Sequence, residues 1–184
     1  VKPKLILFSG ATGTACGTGQ SASGPFYCPG DQQIYIDLRF YELMEKQFQV
    51  SSEFAQAYVI AHEVGHHVQT LTGTADKVRA AQQRMSESQA NNLSVRMELQ
   101  ADCYAGLWAN HANRSRAILE QGDVEAALHA ASAIGDDAMQ RRSQGQVVPD
   151  SFTHGSSEQR ARWFKKGVES GQVADCDTFA AKQL

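Results

Sequence analysis

The stretch from Ser51 to Gly73, SSEFAQAYVIAHEVGHHVQTLTG, decides how this chain is read. Ser51-Ser52-Glu53 is a helix N-cap signal, because a hydroxyl there accepts from the free backbone N–H groups of the first turn. Phe54, Ala57, Tyr58, Ala61, Gly65 and Val68 then recur three or four residues apart, the period of a helix, until Gly73. Within it His62-Glu63-Val64-Gly65-His66 forms a His-Glu-x-x-His motif, which puts two imidazoles on one face, one turn apart. Neutral imidazoles so placed can share one Zn2+ ion, and Glu63 can reach a water on that ion as a general base. Gly65 costs the helix about 1 kcal/mol against Ala, which makes sense only if something approaches closely there.

Catalytic zinc takes three protein ligands and leaves a position for water, so a third donor is needed. The longer pattern with a third histidine fails, since positions 69 and 72 are Gln69 and Thr72. Glu98-Leu99-Gln100-Ala101-Asp102 instead puts two carboxylates one turn apart on a second helix, with Glu98 as the ligand and Asp102 behind it, orienting a histidine. His67 is turned about 100° from the ligand face and is assigned to packing or support. His111 and His129 read as surface residues, and Tyr58, Met97, Tyr104 and Trp108 as core.

Around these helices, Lys4 to Phe8 and Gln33 to Leu38 read as strands, separated by a long Gly/Ser/Thr-rich loop from Ser9 to Gly30. Helices are expected over Lys77 to Ala90 and Ser94 to Asn110, and over Asp123 to Gln140 with a break near Gly135. After a Gly/Pro turn at Gly145 to Pro149, Ser156-Ser157-Glu158 caps a last helix over Arg160 to Val168, and a polar tail follows. The fold expected is a mostly helical α+β domain spanning residues 1–184, with a small N-terminal sheet, the motif helix and a second helix carrying Glu98.

The chain has 184 residues and a net charge of −3, so it has no basic field of the kind that binds nucleic acid, and none is expected as a partner. Its longest apolar run, Leu5 to Phe8, is far too short to span a bilayer; any membrane association would run through a segment outside this chain. Four cysteines, Cys16, Cys28, Cys103 and Cys176, allow two disulfides. Cys16 and Cys28 flank the long loop and could staple it in an oxidising compartment; four reduced thiols in a cytosol are the alternative.

His-Glu-Val-Gly-His-His followed by Glu-Leu-Gln-Ala-Asp-Cys-Tyr-Ala-Gly resembles the bacterial putative neutral zinc metallopeptidase family. Gly-Pro-Phe-Tyr-Cys-Pro, Tyr-Ile-Asp-Leu and Ser-Phe-Thr-His-Gly-Ser-Ser-Glu-Gln-Arg match it too, so the likeness runs from about Ala15 to Phe179. More broadly the arrangement is similar to the gluzincins, especially the Ste24-like peptidases. The resemblance implies a compact zincin-like (minigluzincin-type) fold, a zinc peptidase acting on peptides or proteins, and a bacterial cell-envelope location. It also implies Glu98 as third ligand, Asp102 as its companion, and a strand around Ile34 to Ile36 bordering the cleft, where an extended peptide could add. Thr153-His154 followed by Arg160 is similar to a Thr-His-Pro-…-Arg segment of the Ste24-like group, with Gly155 in the proline's place. His154 would then donate to the oxyanion of the tetrahedral intermediate, and Arg160 would pair with a carboxylate and fix the loop.

The competing class is a zinc-stabilised, catalytically latent binding module of the envelope. Glu63 argues against it, because a structural zinc site is normally closed by four protein ligands and needs no base. A peptidase capped by the Ser9 to Gly30 loop or by the C-terminal tail is a third variant.

Overall fold

The computed structural model describes residues 1–20, 24–48 and 52–184. Among the described residues five short strands come first: β1 (Lys4–Phe8), β2 (Ala11–Thr14), β3 (Gly17–Gln20), β4 (Phe26–Cys28) and β5 (Gln33–Asp37). Seven α-helices follow among the described residues: α1 (Arg39–Phe48), α2 (Glu53–Leu71), α3 (Thr74–Gln82), α4 (Glu87–Arg116), α5 (Asp123–Ala133), α6 (Asp136–Gln144) and α7 (Ser157–Ser170). The chain is thus mostly helical with a small mixed sheet at its start, as its sequence implies.

That sheet has the order β1-β5-β4, with β1 parallel and β4 antiparallel to β5. The Ser9 to Gly30 segment is therefore not a plain loop, for it holds the β2–β3 hairpin and the edge strand β4. Thr, Gly and Cys in short runs carry no hydrophobic alternation, so the pairing there was not legible. The disulfide Cys16–Cys28 ties the hairpin turn to β4. β5 is flanked on both sides, and Ile34 and Ile36 are buried. The strand read as a place for an added peptide is thus central. Among the described residues the outer edge on that side belongs to β4.

α1 was not foreseen at all. α2 starts at Ser52, whose hydroxyl accepts from the N–H groups of Phe54 and Ala55; Ser51, also read as part of the cap, lies outside the described residues. The helix read over Lys77 to Ala90 is really the second half of α3 and the start of α4, separated at Ser86, which forms a capping box with Gln89. α4 consequently runs for 30 residues. The break at Gly135 and the cap at Ser156 stand as read, although α7 is longer than expected at both ends.

α4 is the spine, lying against α2 on one side and α7 on the other. Phe54, Tyr58, Ala105, Ala109, Ala130 and Phe164 form the main core, and Val95, Leu99, Cys103, Trp163 and Cys176 a second one. Of the four residues assigned to the core, Tyr58 is fully buried and Tyr104 partly so. Trp108 is 40% exposed and stacks on Phe54, while Met97 lines a cavity; both had been read as core because periodicity marks a face, not what covers it.

Two glycines set the α4–α7 approach. A methyl group on Gly106 would overlap the Phe164 carbonyl oxygen, and one on Gly167 would overlap that of Cys103. Gly106→Ala is expected to destabilise the protein by about 3 kcal/mol despite its better helix propensity, because backbone cannot yield as a side chain can. Urea unfolding measures this, and an unchanged midpoint would refute the account.

The tail is polar in sequence but fixed. Cys103–Cys176 joins it to α4, and Arg96 donates to the carbonyls of Thr178, Phe179 and Ala181. Two disulfides suit a non-cytoplasmic compartment. No helix among the described residues is long and apolar enough to cross a membrane.

Candidate metal centre

α2 and α4 bring together the three donors that the sequence singled out. Gly65 makes this approach close: a methyl group there would stand 3.0 Å from the Ala101 Cα of α4. His62 Nε2 lies 3.1 Å from Glu98 Oε2 and 3.1 Å from His66 Nε2, and His66 Nε2 lies 3.3 Å from Glu98 Oε1. The three donor atoms fall within 4.8 Å of one another, so His62, His66 and Glu98 could hold a metal ion.

Whether this donor set suits zinc depends on which ring nitrogens carry protons. His62 Nδ1 is 2.8 Å from Asp102 Oδ1, an acceptor, and so donates. His66 Nδ1 is 2.9 Å from Gln69 Oε1. Gln69 Nε2 gives its protons to the Met97 carbonyl at 2.7 Å and to Gln100 Oε1 at 3.1 Å, which fixes its oxygen as an acceptor. Both Nε2 lone pairs then face Glu98, the tautomer that a divalent metal requires. Two imidazoles and one carboxylate are a zinc donor set that leaves room for water, so the residues fit the ion.

Behind the donors lies a buried charge network. Asp102 is wholly buried and accepts from Tyr58 Oη at 2.6 Å, Arg160 Nε at 2.9 Å and Arg160 Nη2 at 2.9 Å. Burial alone would raise its pKa, but the Arg160 and His62 charges outweigh it and hold the carboxyl at about 2. Burial likewise works against a charged His62, yet Asp102, with help from Glu98, pushes that ring up to about 10 in the metal-free protein. Desolvation also opposes the ionisation of Glu98, which is partly buried, yet the two histidines hold it well below the usual carboxylate range. The cluster therefore favours a cation at its centre, whether protons or a metal.

Glu63 lies one residue from His62, is only 7% exposed and lines a cavity of about 530 Å³ at the centre. No side chain among the described residues hydrogen-bonds its carboxylate. His154 and Arg160 line the same cavity, so all seven residues singled out in the sequence gather at or behind it. Their parts differ from expectation in one respect. Arg160 does pair with a carboxylate, but that carboxylate is Asp102, and Asp136 is what holds the His154 loop. Asp136 Oδ2 accepts from the backbone N–H groups of Thr153, His154 and Gly155, and its Oδ1 lies 3.2 Å from His154 Nδ1. That contact raises the His154 pKa, while the same partners lower that of Asp136 against the opposing effect of burial.

Three residues of this site were missed. Tyr58 stands one turn before His62 and Gln69 three residues after His66, so helical spacing offered both signals. Asp136 is 18 residues from His154, and only the fold joins them. His67 is buried, with Nδ1 3.0 Å from Tyr27 Oη and Nε2 2.8 Å from the Val1 carbonyl oxygen, and so fastens α2 to β4. The tail lines neither this cavity nor its neighbour, and Pro25, Phe26 and Tyr27 from the former loop form a wall of the cavity. His111 and His129 are exposed, as read.

Comparison with known proteins agrees with this centre. The chain is 58% identical over 178 residues to "Uncharacterized protein YpfJ" of Escherichia coli (strain K12), covering 97% of this chain and 62% of that one. It is 43% identical over 193 residues to "Uncharacterized protein Rv2575" of Mycobacterium tuberculosis, covering all of this chain and 64% of the relative. The chain thus spans under two thirds of the length of these relatives. No solved structure matches it. The model of the family described as "Putative neutral zinc metallopeptidase" matches residues 1–179, and the chain belongs to that family.

Proposed function

We propose that the protein is a zinc-dependent peptidase that hydrolyses peptide bonds in peptides or proteins, with Glu63 as general base. The observation that supports this most is the meeting of His62, His66 and Glu98, the histidines in metal-binding tautomers, beside the buried Glu63, which lines the cavity and has no side-chain partner among the described residues. Zinc, when bound, supplies a Lewis acid that polarises the scissile carbonyl and makes a water acidic enough to ionise near neutral pH. His62 and His66 would hold it through Nε2 and Glu98 through its carboxylate. Glu63 takes the proton of the attacking water at a carboxylate oxygen and passes it to the leaving amine nitrogen. His154, whose contact with Asp136 at Nδ1 favours the doubly protonated ring, keeps an Nε2–H for donation to the oxyanion. Asp102, Tyr58 and Arg160 hold His62 in place.

In this reading the chain is one compact zincin-like, gluzincin-type domain over residues 1–184, working in the bacterial cell envelope; the two disulfides support the location. An extended substrate would lie along the open edge of β4. The test is mass spectrometry of a diverse peptide mixture after incubation with zinc-loaded protein and with chelator-stripped protein. Cuts only in the zinc-loaded sample are expected, and none in either would refute the proposal.

Gln69→Ala should weaken zinc binding by about 10–100-fold, because His66 loses the acceptor that sets its tautomer and orientation. A competition titration against a chromogenic chelator checks this; unchanged affinity would remove Gln69 from the site.

A further inference from the structure

The space at the metal centre continues past it. A second cavity, of about 330 Å³, opens on the other side of the donors, and the two share Tyr27, His66 and Glu98. A hydrolytic centre at the junction of two cavities leaves room for side chains on both sides of the bond being cut. An enzyme that trims chain ends would instead need a wall and a counter-ion for the terminal amine or carboxylate close to the centre.

The two cavities differ in character. The larger offers Phe26, Phe40, Val59, Ile134 and Met139, an apolar surface for a bulky side chain. The smaller has apolar walls from Tyr27, Val78 and Met97, with Arg79 as its one Lys or Arg among the described residues. Its carboxylate, Glu98, is turned to the histidines. The Gln82 amide gives its protons to the Ala90 carbonyl and to Ser94 Oγ, so it offers a ligand no donor there. Among the described residues Arg79 pairs only with Asp76, at 3.9 Å, with side chains 61% and 79% exposed, which is a weak pair that a substrate carboxylate can displace. Its side chain is largely exposed to solvent, so a chain can run on past it.

Building on the peptidase reading, we propose that the smaller cavity is a subsite for an Asp or Glu side chain of the substrate, and that the bond cut is internal. The methylene groups of the acidic residue lie along Val78 and Met97, and its carboxylate takes two N–H donors from the Arg79 guanidinium. A Lys or Arg side chain in the same place would meet like charge. Across the centre, the residue in the larger cavity is apolar.

The test compares zinc-loaded wild type with Arg79→Glu on one peptide mixture, reading cut positions by mass spectrometry, with a melting curve to show that the variant is folded. Wild type should cut within peptides, with Asp or Glu enriched at one fixed position beside the cut. Arg79→Glu should lose that enrichment in favour of Lys or Arg at the same position, with kcat/KM for a Glu-containing peptide down about tenfold. A second readout needs no turnover: zinc-loaded Glu63→Gln should bind the Glu-containing peptide more tightly than its Lys counterpart, and Glu63→Gln/Arg79→Glu should reverse that order. Identical cut patterns in wild type and Arg79→Glu, or cuts confined to peptide ends, would overturn this inference and leave the peptidase standing. Absence of any cut by wild type would overturn both.

Discussion

Replacing Glu63 by Gln is expected to leave zinc bound and to lower peptide hydrolysis by about 10²–10⁴-fold, the usual share of a positioned general base. The exchange keeps the side chain's volume and removes only its ability to take a proton. Among the described residues no side chain hydrogen-bonds the Glu63 carboxylate, and Glu63 lines the cavity. Elemental analysis should therefore find one zinc per chain in both proteins, with melting curves alike, while product formation falls. Turnover at the wild-type rate would remove Glu63 from the mechanism, and loss of zinc would show that it helps to hold the metal.

Asp102→Asn is expected to act on both stability and metal. It leaves the Arg160 guanidinium buried against a neutral amide, and breaking a buried ion pair from one side costs about 3–5 kcal/mol. It also weakens the acceptor that orients His62, so zinc affinity should fall by about 10–100-fold. The pH dependence carries its own signature. Asp102 titrates at about 2 in the folded protein against an ordinary value of 3.8, so the folded state holds its proton less tightly than the unfolded chain. Its contribution is complete above pH 3.8 and is lost as pH falls through about 2. Unfolding curves measured in acid should thus converge for wild type and Asp102→Asn toward pH 2; a constant gap would refute this linkage.

Much of the helical part was legible because helices record themselves locally. The N-cap at Ser52, the apolar stripe of α2 and the break at Gly135 need only neighbours in sequence. The start of α4 was also recorded, in Ser86 and Gln89, but weak periodicity across Lys77 to Ala90 hid it. The hairpin and β4 were not legible, because three- and four-residue strands rich in Gly and Thr depend on partners elsewhere for their stability.

The sequence by itself determined which residue types the centre brings together. A His-Glu-x-x-His motif on a helix sets two imidazoles and a carboxylate by spacing alone, and Glu98 and Asp102, at i and i+4, set two carboxylates one turn apart on a second helix. Only the tertiary structure decided what surrounds them: that Arg160 neutralises Asp102, that Asp136 rather than Arg160 holds the His154 loop, and that a second cavity with Arg79 lies beyond the donors. These relations join residues well separated in sequence, 18 positions apart for Asp136 and His154 and 58 for Asp102 and Arg160. They depend on how closely α2, α4 and α7 approach through Gly65, Gly106 and Gly167, and packing of that kind has no period for a sequence to display.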